Sequence, residues 1–401
     1  MPAQKVSETV YSVGILNPAM RIFDVVMKTE YGTSYNSYIV KGSEKIALIE
    51  TCHHTFWKQY LENIREVCEP EQIDYIILNH CEPDHSGALR ELLSVCTNAQ
   101  IYVSQAGSIY LKNITNRVDL PLTVAKDGAS LDLGGGNVLR FIAAPFLHWP
   151  DSMFTWMESE NMLFSCDFFG SHYCEPHLFD YNIAYPDKYK SAMKNYYDAI
   201  FGPFKPYVLK GLDKIKDLDI ETVCSSHGPV LTRGNYLEYV RDQYARWSEP
   251  SVNEVKTVPL FYCSAYGNTG EIAKAIQKGI LSVIPDANVE IYDINEHDMG
   301  TLQAVLNSSD AFGIGSPTIN SDAVGPVWNL LSHVDAINNR KKPVIVFGSY
   351  GWSGEAVPNL TDRLKGLKTN VFGDGLKIPF VPSEEELKKA EEFGAEFAKT
   401  L

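Results

Sequence analysis

The apolar positions of this 401-residue chain follow one rhythm in its first part and another in its last. Short apolar runs come first. Ser37-Tyr38-Ile39-Val40 and Lys45-Ile46-Ala47-Leu48-Ile49 flank Gly42 and predict a β-hairpin. Residues 56–67 carry apolar side chains at helical spacing, 74–78 predict a strand, 88–95 a helix and 101–103 another strand. Residues 138–144 read as a strand. The runs 153–157 and 162–165 predict a hairpin around the polar turn 158–161. A helix over 196–212 is broken near Pro203 and Pro206, and 222–224 is a short strand. The polar, proline-containing stretch 248–254 reads as a linker. After it, strands at 258–262, 288–292, 311–314 and 344–347 alternate with helices at 270–281, 301–307, 327–334 and 356–367. An amphipathic helix follows at 384–399. Such alternation predicts a parallel, doubly wound sheet. The expected domains are residues 1–250 and 251–401, with no internal repeat.

Composition narrows the function more than the fold. Hydrophobic residues make up 45% and charged residues 21%, ordinary values for a globular protein too long for one core. No apolar run reaches the roughly 18 residues of a membrane span, and the first residues lack the apolar core of a signal peptide. A cytoplasmic location is expected. The net charge of −15 repels phosphate backbones and anionic lipid, so neither nucleic acid nor membrane is an expected partner. Backbone amides can still hold an anionic cofactor. The eight cysteines include no C-x-x-C pair, which argues against zinc ribbons, rubredoxin-like centres and dithiol redox motifs. Each reads as a reduced, buried thiol. Only Cys81 lies inside a ligand-rich motif.

That motif is Leu78-Asn79-His80-Cys81-Glu82-Pro83-Asp84-His85, directly after an apolar strand. His80 and Glu82 can turn toward one point as the chain leaves the strand, and Asp84 and His85 toward a second. His148 in LHWPDS, Asp167 in SCDFFG and His227 in SSHGP stand at the ends of other predicted strands. Seven donors are too many for one four-coordinate zinc and suit two ions that share a carboxylate. Asp167, set apart from the first cluster, is the expected bridge. His53, His54, His172, His177, His297 and His333 read as structural.

The pattern His80-x-Glu82-x-Asp84-His85, followed by His148, Asp167 and His227, resembles the metallo-β-lactamase fold superfamily. Its zinc hydrolases carry His-x-His-x-Asp-His. Here Glu82 replaces the second histidine, and the added oxygen donor inclines the site toward iron or manganese.

In the last part, the strand ending Phe261-Tyr262-Cys263 runs into Ser264-Ala265-Tyr266-Gly267-Asn268-Thr269. A hydroxyl-rich turn that opens a helix offers backbone N–H groups and the positive dipole end to an anion. It contains neither Gly-x-Gly-x-x-Gly nor Gly-Lys-Ser/Thr, so a dinucleotide or nucleoside triphosphate is not the leading ligand. The turn resembles the flavodoxin phosphate loop. Two later strand-end loops support that reading. One contains Ser316, Pro317, Thr318, Ile319 and Asn320; the other contains Ser349, Tyr350, Gly351, Trp352, Ser353 and Gly354. In flavodoxin-like sheets FMN sits beyond the strand carboxyl ends at the topological switch point. Tyr350 and Trp352 are candidates to flank its ring.

Both halves together, over residues 13–401, resemble the flavodiiron proteins, also called A-type flavoproteins, in their minimal two-domain form. Tyr31-Gly-Thr-Ser-Tyr-Asn-Ser-Tyr38 and His148-Trp-Pro-Asp-Ser-Met153 match that family as well. The implied fold is α/β: an N-terminal metallo-β-lactamase-like αββα sandwich followed by a C-terminal flavodoxin-like sheet. The resemblance implies two non-haem irons per chain, one on His80, Glu82 and His148 and one on Asp84, His85 and His227, with Asp167 bridging. It implies FMN in the C-terminal domain and reduction of O2 to water, of NO to N2O, or both. It implies a small redox protein such as rubredoxin as donor. It also implies a head-to-tail homodimer, or a dimer of dimers, in which the flavin of one chain serves the irons of the other. Many relatives carry Phe-His-Gly where this chain has Phe23-Asp24-Val25, so Asp24 would add a negative charge or a proton acceptor beside the irons. Rubredoxins are usually acidic, so a chain of charge −15 needs a local basic patch for docking, or a different donor. Two other readings compete. A hydrolase with an accessory flavodoxin domain is disfavoured by Glu82 and the flavin loops. An electron carrier with a vestigial metal site is disfavoured by the complete donor set.

Overall fold

The apolar runs of the first part are strands buried on both faces. In the computed structural model, which describes residues 2–250 and 252–401, they build two sheets. Met1, and Ser251 within the expected linker, lie outside the described residues. The chain separates into two compact units, Met1–Glu249 and Pro250–Leu401.

The first sheet of the N-terminal unit has seven strands in the order Gln4–Lys5, Val10–Ser12, Tyr38–Lys41, Ile46–Ile49, Tyr75–Leu78, Gln100–Val103 and Leu122–Val124. The predicted hairpin pairs antiparallel, Tyr38 opposite Ile49. Gly42 at its turn is required by close approach, because a β carbon there would lie 1.9 Å from the Leu133 carbonyl oxygen. Side chains alternate across each strand. Tyr38, Val40, Ala47, Ile49 and Ile77 join a core with Leu139, Phe141, Met153, Met157 and Phe164 of the second sheet. Ile39, Leu48, Ile76 and Leu78 instead pack with Tyr60 and Ile64 of the helix Trp57–Arg65 and with Leu111 of Gln105–Thr115.

The second sheet has six strands, Ser130–Asp132, Val138–Ala143, Met153–Met157, Met162–Cys166, Thr222–Ser225 and Leu231–Thr232. Its other face packs Phe154, Trp156 and Val223 with residues of the helices Pro186–Tyr196, Lys205–Ile215 and Leu237–Ser248. Two sheets face to face with helices outside make the αββα sandwich. The packing satisfies strands that would otherwise expose an apolar face.

Two helices expected in the N-terminal unit needed correction. The helix expected over 88–95 is a single turn, Leu89–Leu92, after another turn, Pro83–Ser86. Tertiary bonds separate the two turns, with Ala88 N–H donating to the Cys52 carbonyl and Thr51 N–H to that of His85, while Leu92, Leu93 and Cys96 still bond back to Ala88, Leu89 and Leu92. The helix expected over 196–212 is in fact Pro186–Tyr196, a wide turn Tyr197–Phe201, a tight turn Gly202–Phe204 and Lys205–Ile215. Pro203 and Pro206 stand in first turns, where the missing N–H costs nothing. The apolar stripe Tyr189, Ala192, Met193 and Tyr196 is interleaved with Lys188, Lys190 and Lys194, which hid it.

The C-terminal unit is a parallel sheet ordered Ile291–Asp293, Leu260–Tyr262, Phe312–Ile319, Pro343–Tyr350, with Asn370–Val371 and Leu376–Pro379 both on the last. By sequence order that is 2-1-3-4-5, the flavodoxin arrangement. Helices Asn268–Val283 and Glu384–Ala398 cover one face; Met299–Ser308, Gly325–Ser332 and Ala356–Gly366 cover the other. The expected strand 288–292 is shifted to Ile291–Asp293, and the strand expected over 311–314 runs on to Ile319. No helix among the described residues is long and apolar enough to cross a membrane.

Candidate functional site

The strand Tyr75–Leu78 ends at a loop and one helical turn that present His80, Glu82, Asp84 and His85. Pro83 opens that turn, a position suited to proline. His148 lies between the strands Val138–Ala143 and Met153–Met157, Asp167 follows Met162–Cys166, and His227 follows Thr222–Ser225. Six of the seven are buried, and the His148 side chain is 11% exposed.

The fold brings all seven together in two groups. Glu82 Oε2 lies 3.2 Å from His80 Nε2 and 3.1 Å from His148 Nε2. Asp84 Oδ1 lies 3.3 Å from His85 Nε2, and its Oδ2 lies 3.1 Å from His227 Nε2. Asp167 divides its oxygens between the groups. Oδ2 is 3.5 Å from His148 Nε2 and 3.8 Å from His80 Nε2. Oδ1 is 3.1 Å from His85 Nε2 and 3.4 Å from His227 Nε2.

These residues fit a pair of cations. Asp84 Oδ1 and Oδ2, Asp167 Oδ2 and His85 Nε2 are buried without a hydrogen-bond partner. Buried charged groups left without hydrogen bonds are costly unless a counter-ion satisfies them. A set of imidazole nitrogens and carboxylate oxygens without thiolate suits iron. Burial lowers the pKa of His85, but Asp84 and Asp167 outweigh it and hold the imidazolium at about 10. Burial raises that of Asp167, yet His85 and His148 keep it well below the carboxylate range. Protons held on His80, His85 and His148 thus offset the carboxylates, and a bound metal would displace them.

Outer contacts orient the rings. His80 Nδ1 lies 3.1 Å from both Asp151 carboxylate oxygens, and Asp151 also accepts the Cys81 N–H at 2.7 Å. His227 Nδ1 donates to the Ser34 carbonyl at 2.6 Å. Tyr196 Oη donates to Asp167 Oδ1 at 2.9 Å. These partners were missed from sequence. Asp151 stands in the singled-out stretch LHWPDS, and a carboxylate beside a donor histidine was the available signal; Tyr196 carried none. His172, read as structural, places its Nδ1 2.8 Å from Thr33 Oγ1, and its ring packs 4.9 Å from that of His227.

Asp24 does reach the site. Partial burial, then the nearby Glu82 and Asp84 carboxylates, push its pKa up to about 6. Cys81 is fully buried, and burial, then Asp151, keeps its thiol protonated well above the usual range. The cysteine that joins a group of possible donors is Cys166, beside Glu50 and His85. Cys81→Ser should therefore leave the iron content at the wild-type value; iron lost in proportion to substituted protein would make that thiol a ligand.

The flavin-loop residues gather at the carboxyl ends of the three central strands of the C-terminal unit. Ser264, Ala265 and Tyr266 form the first loop, and Gly267, at φ 86°, a conformation that disfavours any β carbon, caps the helix that starts with Asn268 and Thr269. Ser264 Oγ is buried without a partner, as a side chain awaiting an anion would be. Thr269 Oγ1 lies 2.8 Å from Ser349 Oγ, tying the first loop to the third. Ser316, Pro317, Thr318 and Ile319 lie on the extended strand, corrected from a loop. The chain turns at Asn320 and Ser321, both left-handed, so that Thr318 pairs with Ala323. Thr318 Oγ1 accepts the Ala356 N–H at 3.3 Å, tying the second loop to the helix after the third. Ser349 and Tyr350 end the strand Pro343–Tyr350, and Gly351, Trp352, Ser353 and Gly354 follow. Tyr266 and Trp352 are 91% and 89% exposed, large rings without a packing role in the unit.

Comparison with known proteins agrees with both halves. The family model described as ODP family beta lactamase matches residues 33–228, and the flavodoxin model matches 260–394. Flavo-diiron protein FprA2 of Clostridium acetobutylicum is 52% identical over 401 residues, covering 100% of both chains. The anaerobic nitric oxide reductase flavorubredoxin of Vibrio vulnificus is 32% identical over 379 residues, 92% of this chain and 75% of that one. Among solved structures, the rubredoxin oxygen:oxidoreductase of Desulfovibrio gigas superimposes with a TM-score of 0.73 at 26% identity, covering 99% of this chain and 98% of that one.

Proposed function

The chain belongs to the flavodiiron, or A-type, flavoprotein family, and from that premise we propose that it reduces O2 to water, NO to N2O, or both. Membership makes it an oxidoreductase with FMN and a diiron site. In this reading His80, Glu82 and His148 would hold one iron, Asp84, His85 and His227 the other, and Asp167 would serve both. The observation that carries it is the division of the two Asp167 oxygens between the donor groups.

Bound iron would supply electrons and open positions for a small diatomic molecule, with FMN relaying single electrons from a donor such as rubredoxin. The chain's own residues do the rest. Asp151 and the Ser34 carbonyl hold two imidazoles with Nε2 toward the centre. Tyr196 keeps its proton on Oη against Asp167 Oδ1, and burial, then Asp167, holds that phenol well above its ordinary pKa. Asp24 stands against the Glu82 carboxylate, which with partial burial raises its pKa toward neutrality. Phe23, Tyr35, Trp149 and Phe201 place aromatic rings within 6.3 Å of ligand imidazoles and limit water around them. A head-to-tail homodimer would bring the partner's flavin to these irons.

The test is anaerobic. Reduce the protein, confirm about two irons and one FMN per chain, then mix it separately with O2 and NO and follow flavin reoxidation over repeated turnovers. Sustained turnover with one gas names the substrate. No turnover with either, at full iron and flavin loading, would overturn the reductase reading.

A further inference from the structure

Glu50 takes no part in the donor set, yet it is placed at some cost. It follows the strand Ile46–Ile49 and is 1% exposed. Its backbone is left-handed at φ 59°, which disfavours a residue with a β carbon. Oε1 accepts the N–H of Asn79, the residue before His80, at 2.9 Å. Oε2 is buried with no hydrogen-bond partner. An oxygen of Glu50, a ring nitrogen of His85 and Cys166 Sγ lie within 4.8 Å of one another.

The other donor histidines show what such a carboxylate does. His80 presents Nε2 to the donors while its Nδ1 meets the Asp151 carboxylate. His227 presents Nε2 while its Nδ1 meets the Ser34 carbonyl. A ligand imidazole almost always needs such an acceptor to fix its tautomer and orientation. His85 presents Nε2 to Asp84 and Asp167. Its second nitrogen has the same need, and a Glu50 oxygen lies within 4.8 Å of a His85 ring nitrogen, close but without a direct hydrogen bond in this structure.

We infer that Glu50 is a positioning residue: its unpaired Oε2, a short movement from His85, becomes the acceptor for the outward N–H of that imidazole when metal is bound, and this fixes the ring in the Asp84–His85–His227 group. Its other oxygen anchors the end of the strand from which His80 departs. One buried carboxylate thereby links the supports of the two groups, and this accounts for a strained glutamate at the end of an apolar strand. Cys166 shares the space as a protonated thiol, because burial, then the Glu50 carboxylate, pushes its pKa well above the usual range.

The inference rests on the diiron reading, and the two fail separately. Wild-type protein, Glu50→Gln, Glu50→Asp and Cys166→Ser are loaded anaerobically with 57Fe(II). Iron release to a ferrous chelator and the Mössbauer spectrum are then recorded. If the wild type does not hold two irons, the diiron reading fails before Glu50 is tested. Given two irons, Glu50→Gln should keep FMN, alter one of two ferrous doublets, and release one iron about 10–100-fold faster. Glu50→Asp keeps the charge and tolerates the left-handed backbone, so its iron should leave more slowly than that of Glu50→Gln. Cys166→Ser should match the wild type. A wild-type spectrum and release rate for Glu50→Gln would overturn the inference. So would equal loss of both irons with a lowered Tm, or release from Glu50→Asp faster than from Glu50→Gln. A doublet that moves only in Cys166→Ser would give the His85 contact to the thiol.

Discussion

Asp167→Ala should strip iron from both donor groups and abolish gas reduction, while FMN stays bound as in the wild type. No other carboxylate of the set faces imidazoles of both groups: Oδ2 faces His80 and His148, and Oδ1 faces His85 and His227. Its loss removes a charge from each metal position and the acceptor for Tyr196. It also leaves His85 and His148 without a carboxylate that holds their imidazolium forms, so the metal-free site becomes harder to keep buried. Turnover should fall by at least about a thousandfold, on the order of 4 kcal/mol of lost transition-state stabilisation. Metal analysis, flavin absorbance and gas consumption on one sample decide it. Two irons per chain with turnover intact would show that Asp167 does not bridge. His80→Ala is the milder comparison. It should release iron from the Glu82 group first, because the Asp84 group keeps all its own donors.

The second large effect belongs to the other unit. Ser264→Ala combined with Thr269→Ala should weaken FMN binding by about a hundredfold or more, since each hydrogen bond to a charged group contributes roughly 1.5–3 kcal/mol. Ser264 Oγ has no partner among the described residues, so its removal costs the ligand-free unit little. Thr269 is fully buried, and its hydroxyl meets Ser349. Part of the effect will come from loosening that link between loops. Titrating the flavin-free protein with FMN and with riboflavin separates the two contributions. Loss of phosphate donors penalises FMN alone, whereas a loosened loop penalises both. Equal affinity of variant and wild type for FMN would move the phosphate elsewhere.

Much of the candidate centre could be read from the chain because its donors are locally marked. His80, Glu82, Asp84 and His85 are packed into six residues after an apolar strand, and His148, Asp167 and His227 each lie near a strand end. The flavin loops were marked in the same way, by a hydroxyl-rich turn opening a helix. The alternation of strands and helices after residue 257 was enough for the doubly wound sheet, since 2.0 and 3.6 residue periods are written along the chain itself. One kind of reading failed where local pattern competes with distant contacts. Residues 88–95 have helical spacing, but Ala88 is bonded to Cys52 and His85 to Thr51, which cuts this turn off from the one before it.

The sequence by itself thus determined which residue types meet and on which strand ends they ride. The tertiary structure alone decided how they face one another. His80 is oriented by a carboxylate 71 residues away, and His227 by a carbonyl 193 residues away. The sharing of Asp167 depends on the ends of strands from both sheets coming together. Glu50 reads as the plain end of an apolar strand until the fold sets it beside His85. The physical reason is the same in each case. Periodicity fixes the face on which a side chain lies, but the direction of a ring nitrogen is set by whichever acceptor the folded chain brings to it.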